Sequence, residues 1–498
     1  MKEAEAGGAE ASGTSRVVWY AVWVVMLVVS AGNTLLYRAP FSGKWGLIAS
    51  GLLAAMAGVM LLRERTGRRD RALGWMMLVV FCVAQLVMFA RTSAPPSVKR
   101  GVDFSAYYLA GKVVAERPAQ SLYDLPLFAD GRLNLNTEDA DSSRWHAEAV
   151  RYGVPFSAPY IYPPFFAVVM RPLARLSFAS AYLVWTVTSM LAVFGGLLLT
   201  LSVAGVRVSA RLALVLGVGL FGYYPLFDNL FFGQISGVIL FLFAACLWLL
   251  TKRHDVPSAL CLALATAIKL TPVLVVPVLI FHRRWKWLAA YAVFMAALLG
   301  FSVDQVGWTA HAEFLREALP SMSCGSPVCQ NVSVVAWVQE LFMGHVPVGL
   351  RPPEAIPAYA CAVSRWVAIA VYLLLLGRCW KRRGEWLVVR DVVVMVLLGI
   401  AVSPISWWHH YTLALLPFVY LWGASARKGN RALAGLFLAV ATNGVGFVAL
   451  SAGNHVVQLV LAAVVPGLMI VVAWIKLGPG QCMAWQTSEA EGGVAFSN

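Results

Sequence analysis

Apolar runs of about 18 to 20 residues recur along most of the chain, separated by short basic clusters, and each run is long enough to cross the hydrocarbon core of a bilayer as a helix. The pattern predicts membrane helices over 17–36, 45–62, 73–90, 178–203, 210–224, 235–251, 287–303, 359–376, 388–402, 411–424, 432–450 and 456–475. The stretch 256–281 begins and ends beside basic residues, so it must cross an even number of times. Its length is too short for two full helices at about 1.5 Å per residue across about 30 Å. Two short helices meeting near Lys269-Leu270-Thr271-Pro272 satisfy both constraints and bring the total to about 14 membrane segments.

Orientation follows from the basic clusters. Arg63, Arg65, Arg68, Arg69 and Arg71 form one; Lys252-Arg253, Arg283-Arg284, Lys381-Arg382-Arg383 and Arg427-Lys428 mark others. Placing all of them in the cytoplasm puts both termini inside and two large loops outside. The expected organisation is a disordered cytoplasmic N-terminus over 1–16, a transmembrane hairpin with its basic loop over 17–72, and a core over 73–303 carrying the first outer loop, 91–176. A second outer loop over 304–357, C-terminal transmembrane helices over 358–476 and a cytoplasmic tail over 477–498 follow. Within the first loop, 109–116 and 144–152 read as short helices at the interface, and Pro159 to Pro164 returns the chain to the membrane. The run 17–36 is too long for a signal-peptide core and lacks a good cleavage site at Tyr37-Arg38-Ala39-Pro40, so it reads as a retained helix.

Composition agrees with the pattern: 60% hydrophobic residues, 13% charged and a mean hydropathy of +0.73 define a polytopic all-α membrane protein. The net charge of +15 would suit nucleic acid, but the basic residues sit in cytoplasmic loops, which excludes it as a partner and leaves membrane lipids. Five cysteines, Cys82, Cys246, Cys261, Cys361 and Cys379, lie in or beside apolar helices and read as small packing residues. Cys324 and Cys329 flank Gly325-Ser326-Pro327-Val328 in the second outer loop, where a disulfide between them is expected; no further Cys or His pair has zinc-ligand spacing.

Polar residues that could carry chemistry converge on the outer side: Asp103, Asp228, Gln234, Asn331 and the pair His409-His410. Asp103 follows Lys99 and Arg100, so it reads either as a solvated interfacial carboxylate or as a general base at the mouth of the bundle. Phe104, Tyr107, Tyr108, Leu109 and Ala110 would press the loop onto the bilayer. Lys269 lies within an apolar stretch, where a charge costs about 2.5 to 3.5 kcal/mol on insertion scales. It needs an anion; a lipid-linked phosphate would serve, as would a carboxylate, or the side chain could snorkel. Trp407, Trp408 and the two histidines also fit an ordinary interfacial belt.

Asp103-Phe104-Ser105-Ala106-Tyr107-Tyr108-Leu109-Ala110-Gly111 with Leu122-Tyr123-Asp124, then Tyr160-Ile161-Tyr162-Pro163-Pro164, Gly233-Gln234, Ile268-Lys269-Leu270-Thr271-Pro272, Asn331-Val332-Ser333 and Ser403 to His410 resemble, in order, the landmarks of glycosyltransferase family 87. The resemblance implies a GT-C fold and an inverting transfer of a hexose, mannose above all, from a polyprenyl-phosphate-linked sugar donor to a lipid or glycan acceptor on the outer face of a bacterial inner membrane. It also makes Asp103 the catalytic residue and assigns the late histidine motif to His409 or His410. Phe104 follows Asp103, so the adjacent acid pair of many GT-C enzymes is absent, and no cofactor is required beyond, at most, a weakly held divalent cation.

In this chemistry Asp103 takes the acceptor proton during a single displacement, while Lys269 and a histidine stabilise the leaving phosphate. Gln234, Asn331, Tyr107, Tyr108 and Trp407 complete the expected donor and sugar site. Two other classes share these features: a lipid-linked sugar flippase or transporter, and an O-antigen ligase or polymerase. Polar sequence concentrated in two outer loops favours an enzyme over a carrier, and the absence of an internal repeat points the same way.

Overall fold

The computed structural model describes residues 101–117, 121–124, 144–155, 157–206, 224–325, 331, 333–343, 356–381 and 388–427. The predicted helices at 17–36, 45–62, 73–90, 432–450 and 456–475 lie outside these residues, as does nearly all of 210–224. Among the described residues the regular structure is helical, apart from an isolated antiparallel bridge between Asn331 and Trp407.

Helices α1 (Val102–Glu116), α2 (Arg144–Arg151) and α3 (Pro164–Ala174) occupy the segment predicted as the first outer loop. The bundle follows with α4 (Phe178–Val203), α5 (Tyr224–Phe232), α6 (Ser236–Thr251), α7 (Asp255–Ile268), a 3-10 turn (Thr271–Val275) and α8 (Val276–Phe281). Helix α9 runs from Trp285 to Met322 through a π turn at Phe314–Ala318. Then come α10 (Val334–Met343), α11 (Ala358–Lys381), α12 (Val388–Val402), a second 3-10 turn (Trp408–Ala414) and α13 (Leu415–Arg427).

Helices α4 and α9, with Ala358–Trp380 of α11, are each long and apolar enough to cross a bilayer. Their outer faces carry exposed leucines and aromatics such as Leu183, Leu191, Phe301, Trp308, Trp366 and Leu374. Apolar side chains left unburied in stripes along such helices have lipid as their natural solvent, so this is an all-α membrane protein. Small residues bring the bundle together: a Cβ on Gly196 would come within 2.3 Å of Leu240, and one on Gly237 within 2.6 Å of Ser189, which locks α4 against α6.

Several predicted boundaries hold closely, including 178–203 and 388–402. The two short helices also occur as expected: α7 ends at Ile268, and Pro272, which has no N–H to give the Ile268 carbonyl, enforces the stop. Fourteen residues of α7 rise about 21 Å, less than the hydrocarbon thickness, so its break lies at membrane depth, where open backbone is tolerated only inside protein or along a cavity. The predicted helix 287–303 is longer, because α9 continues past the kink at Gly307 and takes up the start of the expected second outer loop. Helix α1 starts at Val102 rather than 109, and the helix predicted over 411–424 is preceded by a 3-10 turn that starts at Trp408.

One packing expectation is corrected. Phe104, Tyr107, Tyr108, Leu109 and Ala110 are all buried, between 0% and 3% exposed, so α1 does not lay them on the bilayer. They pack into the protein against α3 and α4, with Gly111 allowing α1 to approach the Met170 backbone.

The expected Cys324–Cys329 disulfide is corrected as well. Cys324 is bonded to Cys361, a residue the sequence pattern assigns to helix packing, with their Cα atoms 5.3 Å apart; Cys329 lies outside the described residues. The partner is set by tertiary packing: α10 lies against the start of α11, and Gln339 of α10 donates to the Cys324 carbonyl at 2.6 Å and to Ser364 Oγ of α11 at 3.3 Å. Spacing along the chain carries no trace of that contact.

Candidate active site

The site begins with two glycines at positive φ. Gly101 (φ 73°) opens α1, and its N–H donates to the Phe231 carbonyl at 2.8 Å, joining the start of α1 to the end of α5. Gly233 (φ 74°) turns the chain between α5 and α6 so tightly that a Cβ there would stand 2.6 Å from the Cβ of Phe104. Tyr182 and Trp185 of α4 fix this turn, donating to the Leu230 and Phe231 carbonyls and to the Gly233 carbonyl.

That close approach delivers the next residue to Asp103. Gln234 Nε2 donates to Asp103 Oδ2 at 2.7 Å. The amide oxygen of Gln234 accepts from the Tyr107 and Tyr162 phenols at 3.0 and 3.1 Å, and the two phenols are 2.8 Å apart. Burial pushes the Tyr107 phenol well above its ordinary value, so it remains a donor, and two donors facing the amide oxygen aim the NH2 at the carboxylate. Tyr162 is itself held from behind, since Tyr123 donates to its carbonyl at 2.7 Å.

Asp103 retains a little open surface, but protein crowds its carboxylate. It is therefore not the freely solvated group that its loop position suggests. Burial pushes its carboxyl above the ordinary value and Asp228 adds to the rise, while His409, the Gln234 hydrogen bond and Lys269 act in the opposite direction.

Lys269 stands at the break after α7. Its Nζ lies 5.9 Å from the Tyr162 ring centroid, and it is buried with no hydrogen-bond partner among the described residues. A buried ammonium without an acceptor is costly, and an anion arriving from outside the chain would relieve it. Lys269 lines a cavity whose walls include Phe243, Val275, Met395 and Ile400 together with Ser403, Ser406 and His410. A mostly apolar cavity that also carries an amine and hydroxyl groups suits an amphiphile with an anionic head.

The two histidines have different partners. His409 Nδ1 is 3.2 Å from Asp228 Oδ2, and its Nε2 is buried without a partner among the described residues. His410 Nδ1 accepts from the Trp407 N–H at 3.2 Å, so this ring helps shape the loop as well as line the cavity. Trp407 meets His409 edge to face at 5.6 Å.

Two expected site residues are engaged elsewhere. Asn331 Nδ2 donates to the Pro404 carbonyl and its Oδ1 accepts from Ser333 and Ser406 N–H groups, pinning the loop that precedes the histidines. The Tyr108 phenol donates to the Leu176 carbonyl at 2.8 Å, away from the Gln234 network. Conversely, Tyr162 joins the network although the sequence marks it only as part of an aromatic-proline turn. Its position one helical entry before Pro164 was the available signal.

The sequence model for "Glycosyltransferase family 87" matches residues 160–404. Residues 160–404 are therefore similar to glycosyltransferase family 87. The matched span contains Tyr162, Asp228, Gln234, Lys269 and Asn331, while His409 and His410 lie just past its end and Asp103 lies well before its start. The structure bonds both flanks into it, Asp103 through Gln234 and His409 through Asp228.

Curated relatives extend the likeness. The chain is 28% identical over 381 residues, 76% of its own length and 82% of the relative's, to a polyprenol-phosphate-mannose-dependent alpha-(1-2)-phosphatidylinositol pentamannoside mannosyltransferase of Mycolicibacterium smegmatis. It is 27% identical to a protein of the same description from Mycobacterium tuberculosis, over 55% of this chain and 60% of that one. A phosphatidylinositol mannoside mannosyltransferase of M. tuberculosis is 27% identical over 56% of this chain and 66% of its own. No solved structure matches the chain.

Proposed function

We propose that this protein is an integral membrane mannosyltransferase that takes mannose from a polyprenyl-phosphate-mannose donor and passes it, with inversion, to a lipid or glycan hydroxyl on the outer face of the bacterial inner membrane. The observation that carries the reading is the pairing of an oriented, crowded carboxylate at Asp103 with the unpartnered Lys269 amine in the wall of a mostly apolar cavity. The family 87 match and the donor named in the relatives' descriptions support the same chemistry.

Asp103 removes the proton of the acceptor hydroxyl as its oxygen attacks the anomeric carbon. The bond from that carbon to the donor phosphate breaks on the opposite face, and its electron pair leaves with the phosphate. Lys269 meets the charge that develops there. Gln234 holds the carboxylate in line for attack, and the phenols of Tyr107 and Tyr162 fix Gln234. The donor is already activated by its phosphate link, so no nucleotide is needed.

The test is to incubate membranes containing the protein with radiolabelled polyprenyl-phosphate-mannose and to identify the labelled product. Transfer by the native chain and its loss in Asp103→Asn is the expected result. Movement of the intact donor across the bilayer without transfer would replace this reading with a flippase.

A further inference from the structure

Two groups beside the site have no part in the displacement just described: the buried Asp228 carboxylate and the buried Nε2 of His409. Asp228 is 7% exposed and His409 2% exposed. With a carboxylate acceptor 3.2 Å from Nδ1, the ring proton is held on that side and Nε2 is left to meet something else. Nothing among the described residues meets it. The ring is braced by Trp407, Phe232 and His410, with centroids 5.6, 6.2 and 4.6 Å away. Asp228 is braced too: α5 packs on the second 3-10 turn, where Thr412 donates to the Pro225 carbonyl at 2.9 Å.

The charge pattern explains why such a pair belongs here. Asp103 senses both His409 and Lys269, so both side chains lie near its carboxylate. An imidazole that gives Nδ1–H to Asp228 can donate from Nε2 to an anion only when it carries both protons, and Asp228 then supplies the buried countercharge. His410 lacks this arrangement, because its Nδ1 is occupied by the Trp407 N–H.

We propose that Asp228 is a positioning residue that holds His409 with Nε2 presented to the departing lipid phosphate. The proposal rests on the mannosyl-transfer reading. In the step, the anomeric C–O bond breaks, its electron pair goes to the phosphate oxygen, and the Nε2–H of His409 hydrogen-bonds that oxygen. The proton taken from the acceptor remains on Asp103.

The experiment uses the full-length protein in nanodiscs as wild type, Asp228→Asn, Asp228→Glu, His409→Ala and the Asp228→Asn/His409→Ala double variant. With polyprenyl-phosphate-mannose as donor, Asp228→Asn is expected to lower kcat by about 10- to 100-fold with little change in donor KM, and Asp228→Glu to fall between it and wild type. In the His409→Ala background, Asp228→Asn should cost nothing more, because its effect passes through the ring. An equal further loss in that background, or an unchanged kcat in a folded Asp228→Asn protein, overturns the proposal.

Equilibrium binding of polyprenyl phosphate, without sugar, provides a separate readout. Asp228→Asn and His409→Ala should weaken it by a similar factor, about 10-fold. If the wild type transfers no mannose, the functional reading fails by itself, and this binding comparison alone decides the role of Asp228. Unchanged binding overturns it. If Asp228→Asn does not fold, Asp228→Glu takes its place, and wild-type binding in that variant overturns the proposal equally.

Discussion

Gln234 Nε2 donates to Asp103 Oδ2 at 2.7 Å across 131 positions of sequence, and this bond joins α1 to the turn that precedes α6. It orients the carboxylate and also lowers its proton affinity against the opposing effect of burial. A carboxyl raised by burial must still be ionised to accept the acceptor proton, so activity falls as pH drops through a point above the ordinary aspartate range. Gln234→Leu removes a contribution that lowers the pKa, and the acid limb of kcat/KM should move to higher pH. A pH–rate profile checks this; an unmoved limb in the variant means that Gln234 does not act on Asp103.

Gly233→Ala places a methyl group 2.6 Å from the Phe104 Cβ, on backbone at φ 74°, and neither contact can relax by rotating a side-chain end. Strain of this kind costs about 1 to 3 kcal/mol. The expected outcome is a lower thermal midpoint together with reduced transfer, since the same shift pulls Gln234 away from Asp103. Calorimetry and the transfer assay on one preparation measure both.

The Cys324–Cys361 disulfide closes 37 residues, including α10, and loop-closure entropy assigns about 3 to 4 kcal/mol to such a bridge. Peptide mapping of unreduced protein should recover Cys324 linked to Cys361. Cys324→Ser should lower stability while leaving donor KM near the native value, because the bridge braces α10 and α11 and touches none of the groups around Asp103. Recovery of a Cys324–Cys329 peptide instead would contradict the packing of α10 on α11.

Helix existence was legible in the sequence because membrane helices announce themselves by long apolar runs: 178–203 and 388–402 emerge with their limits intact. The break at Lys269 was legible too, since length and charge placement together demanded two short helices. The facing of α1 was not. Its run Phe104 to Ala110 is apolar on every side, and such a segment reads the same whether its solvent is lipid or protein. Asp103, Gln234, Lys269 and the histidines stood out as polar groups in apolar surroundings. The pairing of His409 with Asp228 did not, because the two lie 181 positions apart.

Topology offers a further check. Cysteines introduced at Asp103 and His409 should react with impermeant reagents only from outside intact cells, and at Arg68, Arg284 and Arg382 only from the cytoplasm. Labelling of position 103 from the cytoplasm alone would put the site on the wrong face for the proposed donor geometry.

The most direct measurement compares Asp103→Asn with Lys269→Ala in single-turnover transfer and donor binding. The amide keeps the shape and loses the basic oxygen, so Asp103→Asn should lose about 10²- to 10⁴-fold in rate while donor affinity stays near native. Lys269→Ala should weaken donor binding and rate together, since its amine meets the phosphate in ground and transition states alike. A folded Asp103→Asn protein that transfers mannose at near-native rate would contradict the account, for Asp103 would then be no more than a carboxylate at the membrane surface.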